Sequence, residues 1–572
     1  MCGIAGIYYF NFEKGTRTEG LSIVHSMLES MHHRGPDQRG VKDFGNCILG
    51  MNRLKIIDRR DHELPYEDEG NTTALVYNGE IYNHLNIRSQ LRSEVKFKTQ
   101  SDTETLLYDL AENGLANLID YNGMYAFAMF DKSRNELTLV RDKGGEKPLY
   151  YIRTEYFLAF ASEMKSLTQI IGAAEHLTNS YRAFEFAVGR ETLFKDILQL
   201  LPGEYLVADS LGNVDIVNYW NPWEHQYDFE DYSDLNKVEN HLAELLEDSI
   251  LLRTKNSSHP IAVFTAGGID SALMACISKP DQLYYCHYDL GKAFDELEYA
   301  QLVAAKIKKK LNLITPQKED FERVSKDLAW YLDTPCTWTA FSLWMLVHGL
   351  DPEIKITMTG EGADEAFAGY HRYHLLHHDE QINQLQAMQE YTYLIKKYYG
   401  SPCDRYLKLV NRCEDQLDLD VQKYLRETIQ YYFDRAKGDI VRGMGLHDFY
   451  TTMQVLLQMS DRVNMAHSVE NRSPFMDHRL IAFAFQMPSS YKIRDGVTKW
   501  ILKKVAKKFI PHEIADRVDK RGFSAPVNLW FGWSKPGQYN RSIYRETVLR
   551  DWREVYRVNE VCSQNPGVRF NR

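Results

Sequence analysis

The chain lacks the marks of several large protein classes. Its 572 residues include eight cysteines but no Cys-x-x-Cys pair, so neither a zinc-ligand spacing nor a disulfide framework is indicated. Scattered thiols of this kind suit a reducing compartment, and the expected location is cytoplasmic. Long basic runs are missing too: the densest is Lys306 to Lys310, and the formal net charge is -11. No nucleic-acid partner is therefore expected. No stretch of about 18 apolar residues could span a bilayer, and the N-terminus has neither the basic n-region nor the apolar h-region of a signal peptide. No membrane partner is expected. Low-complexity segments and internal repeats are also absent.

What is present is enough apolar content, 44%, to core two or more domains. Residues 2–210 read as short β-rich segments such as Ala74-Leu75-Val76-Tyr77, with helices at 21–31 and 103–113 between them. This suggests a layered α+β domain. Residues 211–235 read as a crossover. From 236 to 530 strand, glycine turn and helix repeat, the pattern of an α/β parallel sheet wound with helices. Residues 531–572 form a tail with no clear pattern.

Cys2 is the most informative residue. Removal of Met1 would leave a thiol beside a free α-amine, whose ordinary pKa of about 7.7–8.0 suits a built-in base. Four elements follow: His33-Arg34-Gly35-Pro36-Asp37, Arg53-Leu54-Lys55-Ile56-Ile57-Asp58, Tyr77-Asn78-Gly79-Glu80-Ile81-Tyr82-Asn83 and Ser101-Asp102-Thr103-Glu104. Each has a plain structural reading. Arg53 could serve a surface ion pair, Asn78-Gly79 a hairpin turn, and Asp102 a helix cap. Together they describe a site for a free amino acid. Arg53 can hold an α-carboxylate bidentately. Glu80 and Asp102 can hold an α-ammonium. The Asn78 amide and the Gly79 backbone N–H can stabilise an oxyanion. The implied chemistry is hydrolysis of the glutamine side-chain amide through a thioester at Cys2, with release of ammonia.

The order and spacing of these pieces resemble the class II glutamine amidotransferases. The likeness runs on through Arg141-Asp142, Gly145-Glu146-Lys147-Pro148-Leu149-Tyr150 and Phe160-Ala161-Ser162-Glu163. It implies an N-terminal-nucleophile αββα sandwich, with Arg53, Leu54, Ile57, Asn78, Gly79, Glu80 and Asp102 contacting glutamine.

In the second half, Phe264-Thr265-Ala266-Gly267-Gly268-Ile269-Asp270-Ser271 joins a strand to a helix. Glycines there let backbone N–H groups wrap a phosphate at a helix N-terminus. An ordinary glycine turn is the plain alternative. The segment is neither a Walker A loop nor a GxGxxG fingerprint. It resembles the pyrophosphate loop of the ATP pyrophosphatases. Further blocks resemble the glutamine-dependent asparagine synthetases: Phe294-Asp295-Glu296 with Tyr299-Ala300, Thr359 to Glu365, Asp461-Arg462, Met465 to Glu470, Arg472 to Asp477, Lys499, and Lys520 to Phe523.

The resemblance implies ATP and Mg²⁺ as cofactors. Thr265, Gly267, Gly268, Asp270, Ser271, His287, Thr359, Gly360 and Lys499 would meet ATP or pyrophosphate, and Asp270 and Asp364 the metal. Glu361 would serve the acyl-adenylate and ammonia-attack step, beside Cys2, Asn78 and Gly79 in the other half. Glutamine, ATP and aspartate, or another carboxylic acid, are the expected partners, with a homodimer common in the family. Three departures stand out. Ala266 replaces the loop's first serine, which removes a hydroxyl donor and predicts a weakened loop. Ser473 stands where the family often has Val. His287 stands where a small apolar residue usually lies near adenine, and could stack on the base. Two other readings stay open: the same chemistry on a sugar acid, peptide or natural-product acid, and a glutaminase or regulatory protein whose synthetase half is inactive.

Overall fold

The computed structural model describes residues 1–10, 17–92, 95–225, 227–255, 257–290, 295–377, 401–412, 417–517, 525–533 and 541–558. Phe294 and the block Lys520 to Phe523 lie outside the described residues. No helix among the described residues is long and apolar enough to cross a membrane.

The first half stacks two six-stranded sheets. In one, the order is Leu198–Gln199, Tyr150–Arg153, Phe157–Ala161, Cys2–Tyr9, Cys47–Arg53, Gln38–Asp43. In the other it is Val214–Asn218, Glu204–Ala208, Glu136–Arg141, Gly123–Asp131, Thr73–Ile81, Tyr66–Glu67. The period of two along a strand explains the layering. Ala5, Ile7 and Tyr9 pack with Val24, Met27 and Leu167 of the outer helices. Cys2, Ile4 and Tyr8 face inward, against Ala74, Val76 and Ala126 of the second sheet. On that sheet's far side Leu75 and Tyr77 meet Leu106, Leu107 and Leu110. The result is the αββα sandwich. Val214–Asn218, which the sequence suggests is crossover, pairs with Glu204–Ala208 as the second sheet's edge strand.

The second half is built on a parallel sheet ordered Leu311–Ile314, Gln282–Cys286, Ile261–Phe264, Ile356–Met358, Glu470–Arg472. Both faces are covered, as parallel sheets require. Ile261 and Val263 face Leu242, Leu246 and Leu273, while Ala262 and Phe264 face Phe341 and Val463. From Ile261–Phe264 the chain first moves toward one edge, then returns to lay Ile356–Met358 on the other side. Ligands of doubly wound sheets bind at such a reversal, outside the carboxyl ends of the strands.

Buried charge and the last of the described helices join the halves. Arg34 Nη1 lies 2.9 Å from both Glu163 and Asp461. Arg462 lies 2.9 Å from Glu163 and 3.0 Å from Asp333. Within 531–572, Arg541–Tyr556 is a helix. Its Trp552 is fully buried, 5.2 Å from the ring of Phe194, and donates its indole N–H to the Asp333 carbonyl at 3.1 Å.

Candidate functional site

Cys2 opens the central strand of its sheet, on the inward face. Alternation along Thr73–Ile81 turns Asn78 and Glu80 to the same interior. The Cys2 backbone N–H donates to Asn78 Oδ1 at 3.0 Å, and the Cys2 carbonyl accepts from Arg34 Nε at 3.1 Å. Asn78 Nδ2 is buried and finds no partner among the described residues, so an amide donor beside the thiol awaits an acceptor. Asn78-Gly79 is no hairpin turn. Both residues pair within the ladder, Gly79 opposite Tyr125, and a Cβ on Gly79 would come within 2.3 Å of the Met124 carbonyl oxygen.

Arg53 is held by its own loop. It donates to the Asp58 and Arg60 carbonyls, each at 2.7 Å, and to Gln38 Oε1 at 3.3 Å. Three of its five donors are thereby used to aim it. Asp102 does not cap its helix. Ser101 does so, accepting from the Thr103 N–H. Asp102 Oδ2 instead accepts from Tyr77 Oη at 2.7 Å and the Ile81 N–H at 3.0 Å. Glu80 is the less committed carboxylate. Its Oε1 is buried without a partner among the described residues, and Oε2 lies 3.8 Å from Arg472. Burial, then the neighbouring Asp102, push its carboxyl well above the usual range, and Arg472 only partly offsets them.

Glu470 and Arg472, which the sequence blocks place in the synthetase half, reach this site across some 390 residues of chain. Arg472 Nε donates to Glu470 Oε1 at 2.7 Å, and the Met1 ammonium lies 3.3 Å from Glu470 Oε2. Burial raises the Glu470 carboxyl, but Arg472 and that ammonium outweigh it and hold it low. The Leu54 N–H donates to the Met1 carbonyl at 3.0 Å, and Ile57 packs at the edge of the same apolar cluster. That cluster runs without a break from Met1, Leu54 and Met124 to Ala363 and Phe475 of the second half.

The second site forms where the parallel sheet reverses direction. Its two motifs leave the adjacent strands Ile261–Phe264 and Ile356–Met358. Gly267 has φ +67°, and a Cβ there would meet Tyr299 Cβ at 2.6 Å. Gly268 caps the helix Ile269–Ser278, and Ser271 Oγ accepts from the Ala266 N–H at 3.2 Å. Thr265 Oγ1 is buried with no partner among the described residues. Gly360 packs against Asp270, which a Cβ would meet at 2.9 Å.

Lys499 Nζ lies 2.7 Å from both oxygens of Asp270 and 2.6 Å from Asp364. A Cβ on Gly369 would sit 1.9 Å from Asp364 Oδ1, so only glycine permits this convergence. Two carboxylates aimed at one cationic point are the hard oxygen donors that Mg²⁺ takes alongside phosphates and water. The residues therefore fit that metal. Thr359 Oγ1 donates to Asn471 Oδ1 at 3.0 Å. Glu361 Oε2 accepts from Ser473 Oγ at 3.3 Å. Burial raises the Glu361 carboxyl, against hydrogen bonds from Thr359, Ser460 and Ser473. His287 lies 3.3 Å from Asp295 at the end of its strand. Arg517 is a residue the motifs do not flag. It donates to the Gly267 carbonyl at 3.0 Å, stacks 3.8 Å from the Tyr299 ring and pairs with Glu296.

Comparison with known proteins agrees with this geometry. Residues 241–558 match the asparagine synthase family and residues 1–220 a glutamine amidotransferase domain. Asparagine synthetase [glutamine-hydrolyzing] 1 of Bacillus subtilis is 27% identical, over 96% of this chain and 90% of its own. Amidase chyE of Penicillium rubens is 25% identical, over 96% and 92%. A putative asparagine synthetase [glutamine-hydrolyzing] of Mycobacterium bovis is 27% identical, over 90% and 85%. With a nucleophile site in one half, an ATP site in the other and both family models matched, the chain belongs to the asparagine synthase family and is a glutamine-hydrolysing, ATP-using amide ligase.

Proposed function

We propose that the chain makes asparagine or a related amide by passing ammonia from Cys2 to an acyl-adenylate at Glu361. Removal of Met1 frees the Cys2 α-amine. That amine takes the thiol proton, and the thiolate attacks the glutamine side-chain amide. The tetrahedral oxyanion is met by Asn78 Nδ2 and the Gly79 N–H. Proton return expels ammonia, and water cleaves the thioester to glutamate. Arg53 holds the substrate carboxylate and Glu80 its ammonium.

In the other half a carboxylate oxygen of the acceptor, by family likeness the aspartate side chain, attacks the α-phosphorus of ATP. Pyrophosphate leaves, with Lys499, Gly267, Gly268 and Ser271 receiving its charge. Mg²⁺ held by Asp270 and Asp364 would neutralise phosphate charge. Ammonia then attacks the acyl carbon, Glu361 takes a proton and AMP departs. The observation that supports this reading is that one apolar cluster joins the two halves, packing Leu54, Tyr82 and Met124 of the first against Ala363 and Phe475 of the second.

The test is pyrophosphate release from purified protein with ATP, Mg²⁺ and glutamine, with and without aspartate, alongside product analysis. Aspartate-dependent pyrophosphate matched by asparagine is expected. Glutamate formation with no aspartate-dependent pyrophosphate would overturn aspartate as acceptor. A second reading, a different acid, is favoured by the amidase relative.

A further inference from the structure

We infer that Arg472, which belongs to the synthetase half, is a positioning residue for glutamine: it keeps Glu80 an anion able to meet the substrate's α-ammonium. The inference rests on the reading above, in which Glu80 receives that ammonium. One short strand brings the two halves together here. Glu470–Arg472 is the edge strand of the parallel sheet, beside Ile356–Met358. Side chains alternate along a strand. Asn471 and Ser473 turn to the synthetase site, where Asn471 accepts from Thr359 Oγ1 at 3.0 Å and Ser473 donates to Glu361 at 3.3 Å. Glu470 and Arg472 turn the other way, toward the first half. Arg472 Nη2 lies 3.8 Å from Glu80 Oε2, and Glu470 Oε2 lies 3.3 Å from the Met1 ammonium.

The guanidinium is fixed from three sides. Nε donates to Glu470 Oε1 at 2.7 Å, Nη1 donates to the Arg253 carbonyl at 2.5 Å, and the guanidinium carbon lies 5.6 Å from the centre of the Tyr82 ring. These contacts aim Nη2 at Glu80, and none of them depends on Met1. Glu80, Glu470 and Arg472 are all buried, so solvent ions screen their charges little.

Glu80 needs that cation. Its Oε1 is buried with no partner among the described residues, which leaves an acceptor for an incoming ammonium. Asp102 is already engaged by Tyr77 Oη and the Ile81 N–H. The groups that face Glu80 are Asp102 and Tyr77 from the first half, Glu470 and Arg472 from the second, and the N-terminal ammonium. Where carboxylates share a dry site, one of them tends to take a proton. Burial and Asp102 push the Glu80 carboxyl up, Glu470 adds to them, and Arg472 outweighs the N-terminal ammonium in pulling it down. A protonated Glu80 would lose the charge-assisted bond on which its grip of an ammonium depends. The glutamine site is thus completed by a side chain of the other half, on the strand whose opposite face holds Glu361.

The experiment measures glutamine binding by calorimetry across pH, in the full-length protein carrying Cys2→Ala so that no turnover intervenes. Glutaramate, which is glutamine without its α-amine, is the control ligand. Glutamine binding by this parent should strengthen as pH rises through the Glu80 midpoint. Arg472→Gln should raise that midpoint by about one unit or more, the usual effect of losing an opposite charge within about 4–6 Å. Below the midpoint it should weaken glutamine about tenfold and leave glutaramate within about twofold. Arg472→Lys should bring the midpoint back toward the parent value. Glu470→Gln removes an opposing carboxylate, keeps an acceptor for Arg472, and should lower the midpoint. Melting curves establish folding. If Arg472→Gln does not fold, the downward shift of Glu470→Gln decides, and its absence overturns the inference. Midpoints that stay in place, or equal losses for glutamine and glutaramate, overturn it too, while leaving Glu80 as the ammonium site. Glu80→Gln that binds glutamine as the parent does would instead overturn Glu80 in that role, and the reading beneath with it.

Discussion

Replacing Ser473 by Val should move the acid limb of the synthetase reaction toward higher pH. The Ser473 hydroxyl is buried and donates to Glu361 Oε2 at 3.3 Å. Val nearly matches its shape but removes the donor. Asn471 Nδ2, which also reaches Ser473 at 3.4 Å, keeps Thr359 at 2.8 Å and Ser460 at 3.0 Å. No buried donor is therefore orphaned. A hydrogen bond to a charged group contributes about 1.5–3 kcal/mol. At 3.3 Å the bond is longer than the usual 2.7–2.8 Å or so for O–H···O, so the lower end, about 1.5 kcal/mol, applies. One pKa unit is about 1.36 kcal/mol, which makes the shift about one unit. The sign follows from the environment. Burial already raises the Glu361 carboxyl and the three donors pull it down. Losing one lets it rise, so ionised Glu361 appears only at higher pH. Ammonia-dependent pyrophosphate release, followed from acid to neutral pH, should fall about tenfold on the acid side, with the plateau near wild type. Ser473→Thr should restore the profile, and glutaminase activity should not change. An acid limb that stays in place or moves toward lower pH would refute the assignment of Glu361 as the titrating base.

Glu80 makes the glutaminase half pH-sensitive in the same direction. Because its folded pKa is raised, the glutamine KM should fall as pH rises through that value, and Glu80→Gln should raise KM and flatten the dependence. Ala266→Ser restores a hydroxyl donor to the pyrophosphate loop. At about 1.5–3 kcal/mol for a charge-assisted bond, it should lower the KM for ATP by roughly ten- to a hundredfold, and an unchanged KM would mean the loop does not use that position. Trp552→Ala removes a fully buried indole and should cost about 3–5 kcal/mol of stability, read as a lower denaturant midpoint.

The sequence carries the short-range parts of both sites. Strand alternation and glycine turns place Cys2, Asn78 and Glu80 on one interior, and set the Ala266 and Gly360 loops on neighbouring strand ends. Two local readings needed the structure. Asn78-Gly79 looks like a hairpin turn, but the glycine serves the close approach of the strand Gly123–Asp131. Asp102 looks like a cap, but Ser101 beside it takes that role. Contacts that cross hundreds of residues left no local signal. Glu470 and Arg472 lie in blocks that resemble the synthetases, but nothing local ties them to the Cys2 half, and Arg517 sits in a charged stretch indistinguishable from solvated surface until the fold brings it to the Gly267 loop. The helix Arg541–Tyr556 has too few apolar positions to advertise itself, and its burial depends on Trp552 and Tyr556.

The last helix has a consequence for how the chain is made. The N-terminal sandwich has its final strand by Asn218, yet Leu193, Phe194 and Ile197 find their cover in Trp552, Tyr556 and Val558. Ribosomes add about 5–20 residues per second, and the gap is roughly 320 residues, so this apolar patch waits roughly 15–65 s for its lid. During that time the nascent protein carries a sticky surface, a natural landing place for a chaperone. A chain released early, lacking only its last few turns, would keep every catalytic side chain and still expose that patch, marking it for quality control.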